Sequence, residues 1–523
     1  MNDILTGVSR SLIEAFADGA ARFPNAELVV ASAVRPGVHR LSDIAADGRR
    51  FAAGLRARGI GPGDIVAVQL PAWSEWMVAA YGIAHAGAVI LPVVSIYGAK
   101  ELGFILRQSQ AKMLVTPDRW RSADYTAVLA ACGPLPDLGT HVVIGETVPG
   151  TVEWEAMLAT VGDAPPAFPS PDDLAMLVYT SGTTADPKGV CHTGRTLLSE
   201  IAAVAESKRG IVEIILSPWP PGHVAGAVTM MRYLAQGAQL VLMDQWDSGE
   251  AAMLIERHQV TACSFTPFHL TGILDGADRD DRDLSSLVHC LVGAAPVPPT
   301  LIARCAERGI ATYRCYGSSE HPTVTVGYPT DPLVKRLTTE GRLMTGSEMR
   351  FVDDDGNDVL QGSDGEMATR GPELFIGYLD PALTAAAMLP GGWYRTGDIG
   401  HFDGDGYLVI SDRKKDIIIR GGENISSREV EDLLFGHPDI ADAAVVAAPD
   451  ARMGEVVRAY VVVRDNAAVT LDEIRRYFGT LGVARQKTPE QLVVVVDLPR
   501  NSTGKILKHE LRARARDEAA LAG

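Results

Sequence analysis

A chain of 523 residues, 46% hydrophobic, 22% charged and 6% aromatic, is too long for one small domain, and it lacks the polar tracts of a disordered protein. Its formal net charge is -17, and no stretch interleaves clustered Lys and Arg with aromatic residues, which argues against a nucleic-acid partner. A locally positive pocket for a small polyanion stays open.

In chain order, the opening stretch MNDILTGVSRSLIEAFADGAARFP lacks a basic segment followed by an apolar core; it reads as an amphipathic helix, and no export signal is expected. The most apolar run, AAYGIAHAGAVILPVV from Ala79 to Val94, is broken by His85 and Pro92 and falls short of the roughly 20 residues that span a bilayer. It predicts a buried helix followed by a strand, and no transmembrane segment.

Between about residues 40 and 410, helical patterns alternate with the β-branched runs DIVAVQL, AVILPVV, KMLVTP, THVVIG, AQLVLM and RFVDDD, the rhythm of layered α/β structure with mostly parallel sheets. Gly/Asp-rich turns crowd together in GGWYRTGDIGHFDGDGYLVISDRKKD, a β-rich end to this region. Past Asp412 come a strand DIIIR, a helix opened by the capping box Ser426-x-x-Glu429, and strands ADAAVVAA and RAYVVVR. A second box, Thr470-x-x-Glu473, a strand QLVVVV and a charged C-terminal helix follow. The fold class expected is therefore α/β, with two domains. Residues 1–412 form a large N-terminal domain of layered α/β subdomains plus a β-rich subdomain, and 413–523 a small α+β domain. Cys132, Cys191, Cys263, Cys290, Cys305 and Cys315 show neither C-x-x-C pairs nor Cys/His metal spacing, which predicts reduced thiols and a cytoplasmic protein.

The stretch YTSGTTADPKGV, Tyr179 to Val190, follows an apolar strand and precedes a helical pattern. Free backbone N–H groups, hydroxyls, a lysine and glycines that permit close approach would let such a loop wrap phosphate oxygens. It is not the common P-loop, because Pro187 and Gly189 stand where that motif needs Gly and a hydroxyl residue. Taken alone, it leaves a Ser/Thr-rich surface turn as the alternative.

With its companions the stretch resembles the adenylate-forming enzymes, which include acyl-CoA synthetases, beetle luciferases and peptide-synthetase adenylation domains. Their T-S-G-T-T-G-x-P-K-G stands here as Thr180, Ser181, Gly182, Thr183 and Thr184 through to Lys188 and Gly189, with Ala185 replacing the last glycine of T-T-G. That departure removes some loop freedom. YGSSEH, Tyr316 to His321, resembles Y-G-x-T-E with Ser319 in place of Thr. The resemblance implies nucleotide contacts from Tyr316, Gly317 and Ser319, and Mg²⁺ held by Glu320 with Thr184. Asp398 in GWYRTGDIG and Arg413 in SDRKKD match positions that bond the ribose hydroxyls, and LPRNSTGKILKHEL matches P-x-x-x-x-G-K with the catalytic lysine at Lys505. Outside that company, Asp398 reads as a turn cap and Lys505 as a solvated charge.

The implied chemistry is attack of a carboxylate on the α-phosphorus of ATP, giving acyl-AMP and pyrophosphate, and then transfer of the acyl group to coenzyme A. A carboxylic acid with a pKa of about 4.3 is already ionised at neutral pH, so no general base is needed. In this family the small domain rotates between the steps. That makes Lys415 the expected hinge and has Gly421, Gly422 and Glu423 line the tunnel for the pantetheine arm. The acyl pocket is expected around Ser217 to Thr229, SFTPFHL, VGAAP and Tyr316, with His223, Gly226 and Ala294 on its wall. Small residues there mean either a roomy apolar slot or close packing. No Asp stands between Ser217 and Thr229 to meet an α-ammonium, so an uncharged acid is expected, fatty of medium or long chain, or alicyclic or aromatic. The chain ends at Gly523 soon after the lysine motif, which favours a free-standing ligase over a synthetase module. Alternatives are an adenylase loading an acyl carrier protein, a luciferase-like oxidase, and a nucleotide-binding regulatory module. Oligomeric state is left open, a homodimer among the options.

Overall fold

Two large sheets carry most of the N-terminal part of the chain, built where the β-branched runs predict strands. The structure is a computed structural model that describes residues 9–160, 165–180, 187–207, 213–464, 467–501 and 504–522. Among these, a nine-stranded sheet has parallel neighbours Ala311–Tyr316, His289–Val292, Ala262–Phe265, Ile214–Ser217, Gln239–Met243 and Glu27–Ala31, in that spatial order, flanked by antiparallel strands. An eight-stranded sheet runs parallel from Leu174–Thr180 through Val89–Pro92, Ile65–Val68, Met113–Pro117 and Thr140–Ile144 to Val152–Glu153.

Helices Leu12–Arg22, Leu41–Ala57, Ser74–Ala86 and Val224–Gln236 share one apolar cluster with Leu28 and Leu242 of the first sheet and Val68, Ile90 and Val178 of the second. The helix Ser74–Ala86 is apolar on every side and only Ser74 escapes burial, as an all-round hydrophobic helix requires. It stops at Gly87, left-handed at φ 74°, and the buried strand Val89–Pro92 follows as expected.

Two expectations change. The run RFVDDD supplies the strand Glu348–Val352 of an antiparallel sheet, with Gly365–Arg370, Trp393–Phe402, Met388–Leu389 and Leu408–Arg413. Short Gly/Asp turns cannot hold the crossover that parallel pairing needs. The phosphate-loop stretch, in turn, does not lead from a strand straight into a helix. Lys188–Thr193 first returns antiparallel to Leu174–Thr180, with Thr180 opposite Lys188, and only then does the helix Gly194–Ser207 begin. A six-residue strand of mixed polarity gives no clear alternation beside a strong helical pattern.

Beyond Arg413, strands Ile440–Asp450 and Gly454–Val463 form a long antiparallel pair, joined in parallel by Gln491–Val494 and at Arg420 by the hairpin Ile418–Arg420 with Glu423–Ile425. Its own apolar cluster includes Val430, Leu434, Val445, Val457, Ile474 and Phe478. Thr470 and Glu473 form the predicted reciprocal capping box. Ser426 forms half of one: it accepts from the Glu429 N–H, while the Glu429 carboxylate instead receives Lys487 Nζ at 2.5 Å. No helix among the described residues is long and apolar enough to cross a membrane.

Candidate active site

Strands Trp393–Phe402 and Leu408–Arg413 pair with Asp398 directly opposite Arg413, and across that pair Arg413 Nε donates to Asp398 Oδ1 at 2.8 Å. Asp398 Oδ2 accepts from the Tyr316 hydroxyl at 2.7 Å. Tyr316 ends the parallel strand Ala311–Tyr316, so this meeting point lies at a strand's C-terminal end, where open α/β sheets bind ligands. Burial, and then the Asp398 carboxylate, raise the Tyr316 hydroxyl well above its ordinary pKa and keep it a donor. Asp398 in turn holds the Arg413 guanidinium charged.

Lys505, from the far end of the sequence, comes near enough for the charges of Arg413 and Asp398 to act on it. A closed loop presents it: the Lys505 N–H donates to Asn501 Oδ1 at 2.9 Å, the Asn501 N–H donates back to the Lys505 carbonyl at 3.0 Å, and Arg500 Nη1 donates to the Gly504 carbonyl at 2.6 Å. Gly504 takes φ 79°, a value that suits glycine. Arg413, and then burial, bring the half-buried Lys505 amine down to about 7, with Asp398, Lys415 and Asp416 the other charges acting on it. Lys415 is exposed in a turn closed by the Asp416 N–H donating to the Arg413 carbonyl at 2.8 Å.

The second cluster forms on the other flank of the YGSSEH turn. Strand Gly377–Tyr378 adds to Lys188–Thr193 with Val190 opposite Tyr378, so Lys188, two residues along and on the same face, puts its Nζ 5.2 Å from the Tyr378 ring centroid. The Tyr378 hydroxyl donates to Glu320 Oε1 at 2.7 Å, and the Phe375 N–H donates to the Glu320 carbonyl at 2.8 Å. Behind the turn, His192 Nε2 donates to the Ser319 carbonyl at 2.8 Å, and burial keeps that imidazole neutral, its pKa lowered to about 4. Gly317 leaves no room for a side chain: a Cβ would stand 1.8 Å from the Pro322 carbonyl oxygen. Tyr378 and His192 escape sequence reading; for Tyr378 the one available signal is the Gly-Tyr pair in GPELFIGYLD, for His192 there is none.

A magnesium ion is usually held by one or two carboxylates plus substrate phosphates, and the buried Glu320, bonded to the Tyr378 whose ring Lys188 meets, fits as the single carboxylate of such a site. Among the described residues no group of three or more His, Cys, Asp or Glu would hold a metal unaided.

The remaining expected positions lie elsewhere. Ser181, Gly182, Thr183, Thr184 and Ala185 fall outside the described residues. His223, half-buried, starts the helix Val224–Gln236, and burial lowers its pKa to about 4. A Cβ on Gly222 would stand 2.4 Å from the Val94 backbone, and one on Gly226 2.2 Å from the Pro220 carbonyl oxygen. At both positions the missing side chain serves close backbone packing. Ala294 is exposed and left-handed at φ 63°, a conformation that costs a non-glycine residue about 1 kcal/mol or more. Gly421 and Gly422, at φ 58° and 91°, make the exposed turn before Glu423, where both glycines are needed, and the Gly421 N–H donates to the Met453 carbonyl at 2.8 Å.

Layered parallel sheets with polar groups gathered at a strand end, and a lysine delivered by a separate small α+β unit, define the adenylate-forming class that the motifs suggest. The chain matches the family model described as AMP-binding enzyme over residues 16–379 and that of the AMP-binding enzyme C-terminal domain over residues 429–505. It is similar to the medium-chain fatty-acid–CoA ligase of Escherichia coli, at 38% identity over 469 residues, covering 88% of this chain and 82% of that one. It is also similar to a feruloyl-CoA synthase from Amycolatopsis sp., at 33% identity with 89% and 91% covered. Among solved structures it resembles the amide bond synthetase McbA from Marinactinospora thermotolerans, with a TM-score of 0.85, 27% identity, and 96% and 99% of the two chains covered. The chain belongs to the AMP-binding enzymes, the adenylate-forming superfamily that contains the CoA ligases.

Proposed function

We propose that the protein is an ATP-dependent, AMP-forming acid–CoA ligase whose substrate is an uncharged acid, fatty of medium or long chain, or alicyclic or aromatic. The observation that carries this reading is the meeting of Arg413, Asp398 and Tyr316, with Lys505 near enough to feel the charges of Arg413 and Asp398. In the first step an oxygen of the ionised acid attacks the α-phosphorus, the bond to the bridging oxygen of the β-phosphate breaks, and pyrophosphate leaves. Two anions have to meet, and the Lys505 ammonium would offset their charge. Each Asp398 oxygen already accepts one hydrogen bond and keeps a lone pair for a ribose hydroxyl. Lys188 and the Thr180–Thr184 hydroxyls would steady the departing phosphates. Glu320 with Thr184 would hold Mg²⁺, which when bound neutralises phosphate charge.

In the second step the CoA sulfur attacks the acyl carbon, AMP leaves, and the thiol proton passes to solvent. The domains are taken as 1–412 and 413–523, with Lys415 as the hinge that withdraws Lys505 and brings Gly421, Gly422 and Glu423 toward the thiol's path. The absence of an Asp between Ser217 and Thr229 supports an uncharged acid, as do the fatty and feruloyl acids in the names of the two relatives. A cytoplasmic location accords with cysteines that form no disulfide.

A pyrophosphate-release screen over straight-chain, alicyclic, aromatic and amino acids, with and without CoA, tests the proposal. At least one apolar acid should release pyrophosphate and yield AMP and a thioester when CoA is present, and amino acids should not. Acyl transfer to a supplied amine or carrier protein in preference to CoA would contradict the acceptor.

A further inference from the structure

The lysine loop does not rest on its own unit alone. Gly504 lies against the ring of Phe268, a residue of the helix Pro267–Asp280: a Cβ on Gly504 would stand 2.9 Å from Phe268 Cδ1 and 3.1 Å from its Cβ and Cγ. The guanidinium carbon of Arg500 stands 5.4 Å from the centroid of the same ring. Both residues belong to the loop that presents Lys505, and the Arg500 bond to the Gly504 carbonyl ties them together. Gly504 thus has two reasons to be glycine, its left-handed φ and the ring beneath it.

Phe268 is a large apolar side chain left 41% exposed. It is held from behind by Trp246, 6.3 Å away between ring centroids, and His269, 5.6 Å away. His269 is fixed by a reciprocal capping box with Thr266 and packs edge-on against Trp219 at 6.0 Å. Trp219 lies in the segment that sequence reading gives to the acid. The ring therefore stands on a rigid aromatic support reaching from the expected acid site to the catalytic loop.

We propose that Phe268 is a positioning residue for adenylation: its ring seats the Arg500–Lys505 loop so that the Lys505 amine stands at Asp398 and Arg413. The proposal rests on the reading of Lys505 as the adenylating lysine. Ring and loop belong to different units, so the seat is filled only in the arrangement that points Lys505 at the nucleotide site. Other contacts also join the units, among them Arg428 Nη2 donating to Glu340 Oε1 at 2.6 Å. Loss of the ring therefore leaves the small unit attached and its lysine misplaced.

Single-turnover assays on the full chain test this, following acyl-AMP formation from acid and ATP separately from thioester formation from supplied acyl-AMP and CoA. Phe268→Ala should slow the first step by about 10²-fold, the usual effect of a displacement near 1 Å, through kcat more than the KM for the acid. The second step should be unchanged, and Phe268→Tyr, which keeps the ring, should restore the first. Adenylation at the parent rate in Phe268→Ala, or an equal fall in both steps, would overturn the proposal. Lys505→Ala separates the two levels: if it still adenylates, the reading of the lysine fails; if it does not while Phe268→Ala does, only the seat fails.

Discussion

Lys505 has to be a cation in a place that resists one. The Arg413 guanidinium and burial bring its amine down to about 7, against the partial relief of Asp398 and Asp416, while Lys415 adds to the resistance. The amine is charged below that value and neutral above it, so rising pH removes the charge that the proposed adenylation would use. For the free enzyme, kcat/KM for acyl-AMP formation should fall as pH climbs through about 7. Bound ATP adds negative charge that favours the ammonium, so the corresponding limb in kcat should lie at higher pH. Lys505→Arg, whose guanidinium stays charged, should lose the limb in whatever activity it retains. A kcat/KM profile flat through neutrality in the parent would contradict this. Asp398, Arg413 and Lys505 are each legible in the sequence through their motifs, but their meeting is not. It depends on a cross-strand register between Asp398 and Arg413 and on where the strand ending at Tyr316 abuts that sheet. Tyr378 offers the sequence only a Gly-Tyr pair, because its hydroxyl bond to Glu320 is made by tertiary packing alone.

At the scale of elements, small residues in the segment Ser217 to Thr229 admit two explanations in the sequence, and the geometry separates them. The atom facing Gly226 is a backbone carbonyl oxygen 2.2 Å from a built Cβ, and backbone cannot swing aside as a side chain does. Gly226→Ala should therefore lower stability by about 1–3 kcal/mol in denaturant unfolding and leave the order of acid preference unchanged. Parent stability with a shift toward shorter acids would instead make Gly226 a wall of the pocket. Period and length identify the long elements well: the buried helix Ser74–Ala86 and the strand after it stand where the apolar run places them. Short elements whose identity comes from a partner are the ones that escape. The strand Lys188–Thr193 exists because Leu174–Thr180 and Gly377–Tyr378 flank it, and nothing in KGVCHT announces them. Glu429 likewise abandons its own capping box for Lys487, a residue distant in sequence.

For the whole molecule, the change of pattern near Asp412 reveals two units, but their mutual placement is written in contacts between residues far apart. Arg428 reaches Glu340, whose Oε1 also stands 3.6 Å from Arg314 Nη1, and Phe268 meets Gly504. Charge of both signs is buried across this junction, so separating the units would leave Arg428 and Glu340 to be rehydrated or re-paired. In the arrangement seen, the charges of Arg413 and Asp398 act on Lys505 while the Gly421–Glu423 turn is exposed, as the proposed first step would have it. The most direct test is a comparison of the two half-reactions in Lys505→Ala. Acyl-AMP formation should be lost while thioester formation from supplied acyl-AMP and CoA continues at the parent rate. Undiminished acyl-AMP formation, or an equal loss of both steps, would contradict the account.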